Sequence, residues 1–185
     1  MTNSIDVWHA EHAYFVRLLD LLHKQVDAFH TGQRPNYELM VDIVSYLRDY
    51  GDQIHHLRED VLFDRLAKRR PDIKLVLARF GQEHRVIEHA GETLVNLLNE
   101  IRGAAIVQRT AVEAAAATYL VYYGNHIAKE EEDFVSRAAE SLTPEDWEAV
   151  RNAVPTGRDP LFGDRPEARY KELRRHIARE ANSRD

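Results

Sequence analysis

The sequence contains no cysteine, and it has only eight glycines and six prolines among its 185 residues. The lack of cysteine excludes disulfides, thiolate zinc sites, iron–sulfur clusters and cysteine nucleophiles, and it is compatible with the reducing cytoplasm, where we expect the protein. Any metal must therefore be held by nitrogen and oxygen ligands. Glycines and prolines lie mainly between long periodic segments, and strand-like alternation is absent, which is typical of a helical bundle.

Long apolar runs and an excess of positive charge are also missing. No apolar run approaches 18 residues, and the first residues do not resemble a secretory signal, so we expect neither membrane association nor export. The net charge of −6 and the scattered basic residues argue against nucleic acid as a main partner. With 44% hydrophobic residues, a chain of 185 residues is long enough for one domain with a sizeable core.

Apolar residues recur at three- and four-residue intervals over four long segments. Short connections between these segments predict an all-α, up-down-up-down four-helix bundle. The segment Thr143-Pro144-Glu145-Asp146 predicts the start of a short fifth helix, and a charged last helix is expected on the bundle surface. We therefore expect a bundle over residues 1–140 and a C-terminal helical extension packed on it over residues 141–185. The four long helices are predicted over residues 6–29, 36–70, 72–101 and 107–139.

A histidine followed four residues later by a glutamate occurs four times, whereas chance predicts about one such pair in a chain of this composition. Four helical steps return a side chain to nearly the same face, so each pair can present an imidazole and a carboxylate together. Such ligands suit a divalent transition metal, and a carboxylate can bridge two ions. Taken alone, each pair is better explained as a plain surface ion pair, and the last one, in the polar tail, is the pair expected by chance. The pairs are His55/Glu59, His84/Glu88, His126/Glu130 and His176/Glu180.

The positions of the first three pairs favour a shared metal site. Glu59 and Glu130 each share a helix face with apolar residues further along the chain, so their side chains should point inward. A buried ionised carboxylate needs a metal, a cation or a proton as its partner. His12 lies on an apolar face of the first helix. In an up-down bundle, His12 and His84 lie early in rising helices while the other two pairs lie late in falling ones, so all of them meet at one end. The predicted metal ligands are His12, His55, Glu59, His84, His126 and Glu130, with satisfied core histidines in a metal-free bundle as the alternative.

Further polar residues lie close to these positions along the helices. Three tyrosines precede His126 by one or two turns, where a hydroxyl can hydrogen-bond a metal-bound oxygen species, although core packing is the plainer role. Among the candidate extra ligands, His56 is expected at the edge of the site or on the surface. The candidate extra ligands are Glu88, His89, His9 and His56, and the tyrosines are Tyr119, Tyr122 and Tyr123.

The segments that carry these residues resemble the hemerythrin-like family with HHE cation-binding domains, in the order of that family and over about residues 5–140. The resemblance implies a non-haem di-iron centre with an oxo or hydroxo bridge, for which manganese or zinc could substitute. It also implies terminal imidazoles from His12, His55, His84 and His126, and bridging carboxylates from Glu59 and Glu130. The similar segments are Glu11-His12, residues 55–63, Glu83-His84-Arg85 and residues 126–131, and residues 159–163 resemble the tail of some bacterial members.

Two departures from the oxygen-carrying members bear on function. Glu88 stands where the carriers have a second histidine on the third helix. The carriers have an aspartate five residues after the last histidine, whereas here Glu130 stands at four and Glu131 at five. A site with fewer imidazoles and more carboxylates offers harder ligands, which favour ferric iron. We therefore do not expect simple oxygen carriage.

Several functions remain compatible with this resemblance. The first is a protein that binds or reacts with a small diatomic or peroxide ligand, namely O2, NO or H2O2, in sensing, detoxification or iron handling. Peroxidase, catalase-like and oxidase activities are all open under it. The alternative is a non-enzymatic regulatory or interaction module with a sensor or structural metal, in which residues 141–185 contact a partner. A homodimer is a further option for the assembly.

Overall fold

A computed structural model describes residues 4–154, 159–163 and 165–182. All regular structure within these residues is helical, which confirms the all-α prediction. The elements are α1 (Ser4–His30), α2 (Tyr37–Tyr46), a π-helix (Leu47–His55), α3 (His56–Arg69), a 3-10 turn (Pro71–Ile73), α4 (Lys74–Arg102), α5 (Arg109–Asp133), α6 (Val135–Ser141), α7 (Pro144–Arg151), a second 3-10 turn (Ala168–Tyr170) and α8 (Lys171–Asn182).

Four long helical stretches form the body of the molecule. The second stretch consists of α2, the π-helix and α3, which follow one another without a loop. Helix α1 packs against α2 and α5, and α4 packs against α5, α2 and α3. The four stretches thus close into a ring of sequence neighbours, as an up-down bundle requires. Within the described residues, no helix combines the length and the apolar character needed to cross a membrane.

Local side-chain signals explain where several helices begin. The side chain of Asn36 accepts a hydrogen bond from the backbone N–H of Leu39 at 3.1 Å and caps α2. At the start of α7, Thr143 and Asp146 form a reciprocal capping box. Pro144 occupies the first turn of α7, where a missing N–H has no cost. These caps were predictable because they depend only on residues adjacent in sequence.

The second long helix differs from the regular helix predicted over residues 36–70. Its middle is a nine-residue π-helix, Leu47–His55. A π-helix places more residues in each turn than an α-helix, so it shifts the register between α2 and α3. His55 and His56 stand where the π-helix meets α3, and both are buried, with 1% and 3% of their surface exposed.

Two smaller expectations also need correction. The fourth helix, predicted over residues 107–139, is interrupted at Phe134, whose φ of −117° ends α5 before α6 begins. Its side chain is buried at this break. Leu75 belongs to the apolar pattern of the third helix but is 86% exposed. The 3-10 turn that precedes α4 sets its register so that Ile73 and Leu77 face the interior instead.

The core consists of two apolar clusters separated by a polar layer. Along α1, Trp8 belongs to the smaller cluster, His12 to the polar layer and Phe15 to the larger cluster. Along α4 the order is the same, from Phe80 in the smaller cluster through His84 to Ile87 in the larger cluster. The layer therefore lies near one end of the bundle, at the same height on these two helices.

The C-terminal part packs on the outside of this bundle. Helix α7 contacts α3, and α8 contacts α2. The ring of Phe162 stacks on Tyr14 with centroids 4.0 Å apart, and the hydroxyl of Tyr46 donates to Asp159 at 3.1 Å. Residues 159–163 and 165–182 thus cover α1 and α2. In the tail pair His176/Glu180, the side chain of Glu180 lies outside the described residues.

Candidate metal centre

Five imidazoles and two carboxylates from all four long helical stretches meet in the polar layer. Six of these seven residues, all but Glu130, form two groups that share Glu59, and the donor atoms within each group lie within 4.8 Å of one another. A transition metal holds its ligands about 2 Å away, so the donors of one ion lie about 3–4 Å apart. Each group therefore fits one ion after a small contraction. The first group is His12, His55 and Glu59, and the second is His56, Glu59, His84 and His126.

Two pairs of imidazole nitrogens face each other in this layer. Nε2 of His12 lies 3.0 Å from Nε2 of His55, and Nε2 of His84 lies 3.1 Å from Nε2 of His126. Two nitrogen lone pairs do not approach this closely unless a proton or a metal ion lies between them or next to both. Each pair therefore marks a position for a cation.

Glu59 reaches both groups with its two carboxylate oxygens. Oε1 lies 2.8 Å from Nε2 of His55, and Oε2 lies 3.2 Å from Nε2 of His84. Trp8, a member of the smaller apolar cluster, also donates its indole N–H to Oε1 at 2.8 Å. Glu59 is fully buried, and its Oε2 has no hydrogen-bond partner in the protein. A carboxylate placed in this way can bridge two ions.

Glu130 takes the corresponding position on the opposite side of the layer. Its Oε2 lies 3.4 Å from Nε2 of His12, and its Oε1 lies 3.2 Å from Nε2 of His126. Glu130 is also fully buried, and neither oxygen has a hydrogen-bond partner in the protein. Buried carboxylate oxygens without partners are costly, and a pair of metal ions would provide the missing charge.

A carboxylate lies beside the outer nitrogen of every imidazole in the layer. An Nδ1–H that donates to a carboxylate fixes the ring orientation and leaves Nε2 to face the metal position. The sequence pattern did not reveal these acids as partners of the histidines. Except for Asp52, each of them contacts a histidine of a different helical stretch. The Nδ1–carboxylate distances are 2.6 Å for His12–Glu131, 2.8 Å for His55–Glu11, 2.8 Å for His84–Asp60, 3.3 Å for His126–Glu83 and 3.2 Å for His56–Asp52, the last without hydrogen-bond geometry.

Glu11 is the most firmly held of these acids. Arg58 donates to both of its oxygens at 2.7 and 2.6 Å, and the hydroxyl of Tyr50 donates to Oε1 at 2.6 Å. Burial acts to raise the pKa of Glu11, but His55 and Arg58 outweigh it and lower that pKa to about 2. Glu11 is therefore ionised at neutral pH and accepts a hydrogen bond from the ring of His55.

The site's acid–base properties show that protons can occupy the cation positions. Burial acts to lower the pKa of His12 and of His84, but hydrogen bonds to carboxylates outweigh it and raise each to about 10. Burial and repulsion by Glu59 raise the pKa of Glu130, whereas the neighbouring imidazoles overcome burial and lower the pKa of Glu59 well below its usual value. Burial and the charge of His84 hold the pKa of His56 well below its usual value, so its imidazole is neutral and ready to act as a ligand.

The structure brings the six predicted ligands together and adds His56 to them. His56, expected at the edge or the surface, is buried and stacks on the ring of His84 with centroids 4.2 Å apart. It thereby supplies the third imidazole of the second group. The signal for His56 in the sequence was its position next to His55.

The other extra candidates lie outside the two groups. Glu88, His89 and His9 are exposed, and His9 contacts Glu131 at 2.6 Å rather than either cation position. Tyr119 and Tyr123, four residues apart, are fully buried, whereas Tyr122 is 46% exposed. One helical step of about 100° explains this difference.

We predict that His56→Ala weakens metal binding by at least about tenfold, because it removes one of three imidazoles from the second group. Titration of the variant with ferrous iron against a competing chelator, without oxygen, would measure the change. His89→Ala is the control, since His89 is exposed. Equal affinities of the His56→Ala variant and the unsubstituted protein would show that His56 is a core residue and not a ligand.

Comparison with known proteins gives one match. The family model described as the hemerythrin HHE cation binding domain matches residues 3–138 of this chain. This range contains every residue of both donor groups and all five supporting carboxylates. Neither the curated proteins nor the solved structures compared with the chain gave a match.

Proposed function

Because this chain belongs to the hemerythrin family of HHE cation-binding domains, we propose that it holds two iron ions in the polar layer and binds or reacts with O2, NO or peroxide there. The observation that carries the proposal is that Glu59 and Glu130 each direct one oxygen towards each imidazole group. Nitrogen and oxygen donors of intermediate hardness, with buried oxygens that have no partner, fit iron. His12 and His55 would hold one ion, and His56, His84 and His126 the other.

Bound iron would supply exchangeable electrons and a positive charge for the incoming ligand. The residues of the chain would balance the charge of the ions, orient the imidazoles and exclude water. The two carboxylates offset the charge of the ions, and the outer acids keep each Nε2 directed inwards. The apolar clusters on both sides exclude bulk water. The group of His12 and His55 offers one imidazole fewer than the other group, so we assign ligand binding to that side.

A sensor role is the second candidate, and one set of contacts favours it. Glu11, which holds His55, also accepts a hydrogen bond from Tyr50. The ring of Tyr50 stacks on Tyr46 with centroids 5.7 Å apart, and Tyr46 donates to Asp159. These contacts connect a metal ligand with the C-terminal extension. In this regulatory module, a change at the metal alters how the extension packs and so changes its contact with a partner.

The proposal predicts about two iron ions per chain after anaerobic loading with ferrous iron. His55→Ala is expected to lower that number, because it removes one of the two imidazoles of the first group. Metal analysis of the loaded proteins measures this, and the matched control is His23→Ala, whose side chain on the same bundle is 66% exposed. Two ions retained by the His55→Ala variant would contradict the site assignment.

Addition of peroxide, NO or O2 to the loaded protein then separates the two functions. An enzyme consumes many equivalents of peroxide per site, whereas a sensor reacts once and changes its absorption spectrum. If none of the three changes the spectrum of the loaded protein, the metal is structural and the proposed reactivity is wrong.

A further inference from the structure

Six buried polar atoms without a protein partner lie together beside His56. Such atoms are rare in native proteins, because burial removes water and normally supplies another partner. Asp52 is only 8% exposed, and both tyrosines of the set are fully buried. The six atoms are both carboxylate oxygens of Asp52, Nδ1 of His56, Nε of Arg48, and the hydroxyls of Tyr119 and Tyr123.

These residues form a continuous cluster. Oδ1 of Asp52 lies 3.2 Å from Nδ1 of His56. The ring centroid of Tyr123 lies 5.4 Å from that of His56 and 5.6 Å from that of Tyr119. The cluster therefore begins at a candidate metal ligand and extends away from the metal layer along α5.

Two glycines make room for this cluster. A Cβ atom on Gly51 would lie 2.3 Å from the hydroxyl of Tyr123. A Cβ atom on Gly91 would lie 2.9 Å from Cε2 of Tyr119 and 3.3 Å from the Cγ and Cδ atoms of Arg48. At the distances below 3.0 Å the tyrosine rings would have to move, and at 3.3 Å the side chain of Arg48 would have to shift by a few tenths of an ångström. The absence of side chains at Gly51 and Gly91 thus allows the polar groups to converge from three elements.

The other end of the cluster reaches the surface. Arg48 and Asp52 both belong to the π-helix, and Arg48 is partly exposed. Glu88 on α4 is exposed, and its charge and that of Arg48 act on Asp52. The cluster therefore spans the distance from His56 to the protein surface between the π-helix and α4.

We propose that Arg48, Asp52, Tyr119 and Tyr123 bind a short chain of ordered water molecules that runs from His56 to the surface beside Glu88. A buried water makes about three hydrogen bonds, so about two waters would satisfy the six atoms. The groups that converge here are polar, and ordered water is the usual partner of buried polar groups that the protein leaves unsatisfied. The water chain gives solvent a fixed route to the edge of a layer that the two apolar clusters otherwise enclose. It does not depend on the identity of the metal.

Tyrosine-to-phenylalanine variants of the full-length, metal-free chain test the proposal. Tyr123→Phe and Tyr119→Phe keep the packed ring and remove only the hydroxyl. If the hydroxyls bind water, each variant is expected to lower Tm by about 2–4 °C, as loss of one hydrogen bond does in a domain of this size. Tyr46→Phe is the reference, because it removes a direct hydrogen bond to Asp159. If the hydroxyls are dry, Tm stays the same or rises, since a buried group without a partner has been removed; that result would overturn the proposal.

A crystal structure of the same metal-free protein provides the second measurement. Ordered waters bonded to Asp52 and to at least one tyrosine hydroxyl are the expected result. Direct hydrogen bonds from the tyrosines to Asp52 with no water between them would overturn the proposal, whichever way Tm moves. Because neither measurement involves bound metal, failure here leaves the proposed iron site untouched, and failure of the iron site leaves the water site untouched.

Discussion

Glu59→Gln is expected to lower the unfolding free energy of the metal-free protein by about 3–5 kcal/mol, the typical loss when one partner of a buried ion pair is removed. Glu59 is fully buried and contacts the imidazoles of His55, His84 and His12 at 2.8, 3.2 and 3.4 Å. Its lowered pKa means that it is ionised and balances protonated imidazoles. Glutamine is neutral, so those protonated imidazoles would be left without their counter-ion.

Glu130→Gln is expected to leave the metal-free protein nearly unchanged in stability. Burial and the charge of Glu59 raise the pKa of Glu130, which favours its protonated form. A glutamine has the shape and the charge of that protonated carboxyl. The same chemical change at two equally buried positions is therefore predicted to give different free energies of unfolding.

Iron binding, in contrast, is expected to be strongly reduced in both variants. Each glutamate has an oxygen directed at each cation position, and a neutral amide neither bridges two ions nor offsets their charge. Denaturant unfolding of the metal-free variants and metal analysis after loading measure the two effects. Equal destabilisation by the two substitutions would show that both carboxylates are ionised without metal.

The metal-free protein is also expected to lose stability as the pH rises above about 6.5, the usual pKa of histidine. The folded-state pKa values of His12 and His84 are about 10. Between these values the folded state holds protons that the unfolded state has released. The stabilisation by these two groups is therefore complete at low pH and is lost as the pH rises through about 10. Each additional proton gives a slope of about 1.4 kcal/mol per pH unit.

Iron loading is expected to remove this slope and to raise Tm. The metal takes the place of the protons on the imidazoles, so loading at constant pH also releases protons into solution. A ligand present at 1,000 times its Kd stabilises the native state by about 4 kcal/mol. Denaturant unfolding at several pH values, with and without iron, and a pH-stat titration during loading measure these effects. An equal slope in the loaded protein would mean that the metal binds elsewhere.

Much of the site was predictable because it depends on local helical geometry. Each pair of His55 with Glu59 and of His126 with Glu130 follows from a spacing of four residues on one helix. The placement of His12 and His84 at the same height follows from the alternating direction of consecutive helices. Both arguments need only the chain order and the helical period, and the all-α architecture that supports them is confirmed.

The rest of the site depends on contacts that no local pattern encodes. His56 is buried beside His84, and the π-helix that precedes it was not distinguished from a regular helix by the apolar spacing of residues 36–70. The supporting acids were visible next to the predicted ligands, as Glu11 is beside His12. Yet Glu11 acts on His55, and this partner is set only when α1 packs against the second helical stretch. Pairing across helices is a property of the folded molecule.

Four of these acids connect the helical stretches in a closed ring of acid–histidine contacts around the bundle. Glu11 of α1 holds His55, Asp60 of α3 holds His84 of α4, Glu83 of α4 holds His126 of α5, and Glu131 of α5 holds His12 of α1. Each helix therefore aligns a candidate ligand of the next one, and the last aligns a candidate ligand of the first. Loss of any one helix disturbs its own ligands and the ligand it supports. Metal affinity should accordingly measure closure of the entire ring, and a circular permutant that preserves the four neighbours should bind metal as well as the natural chain order does.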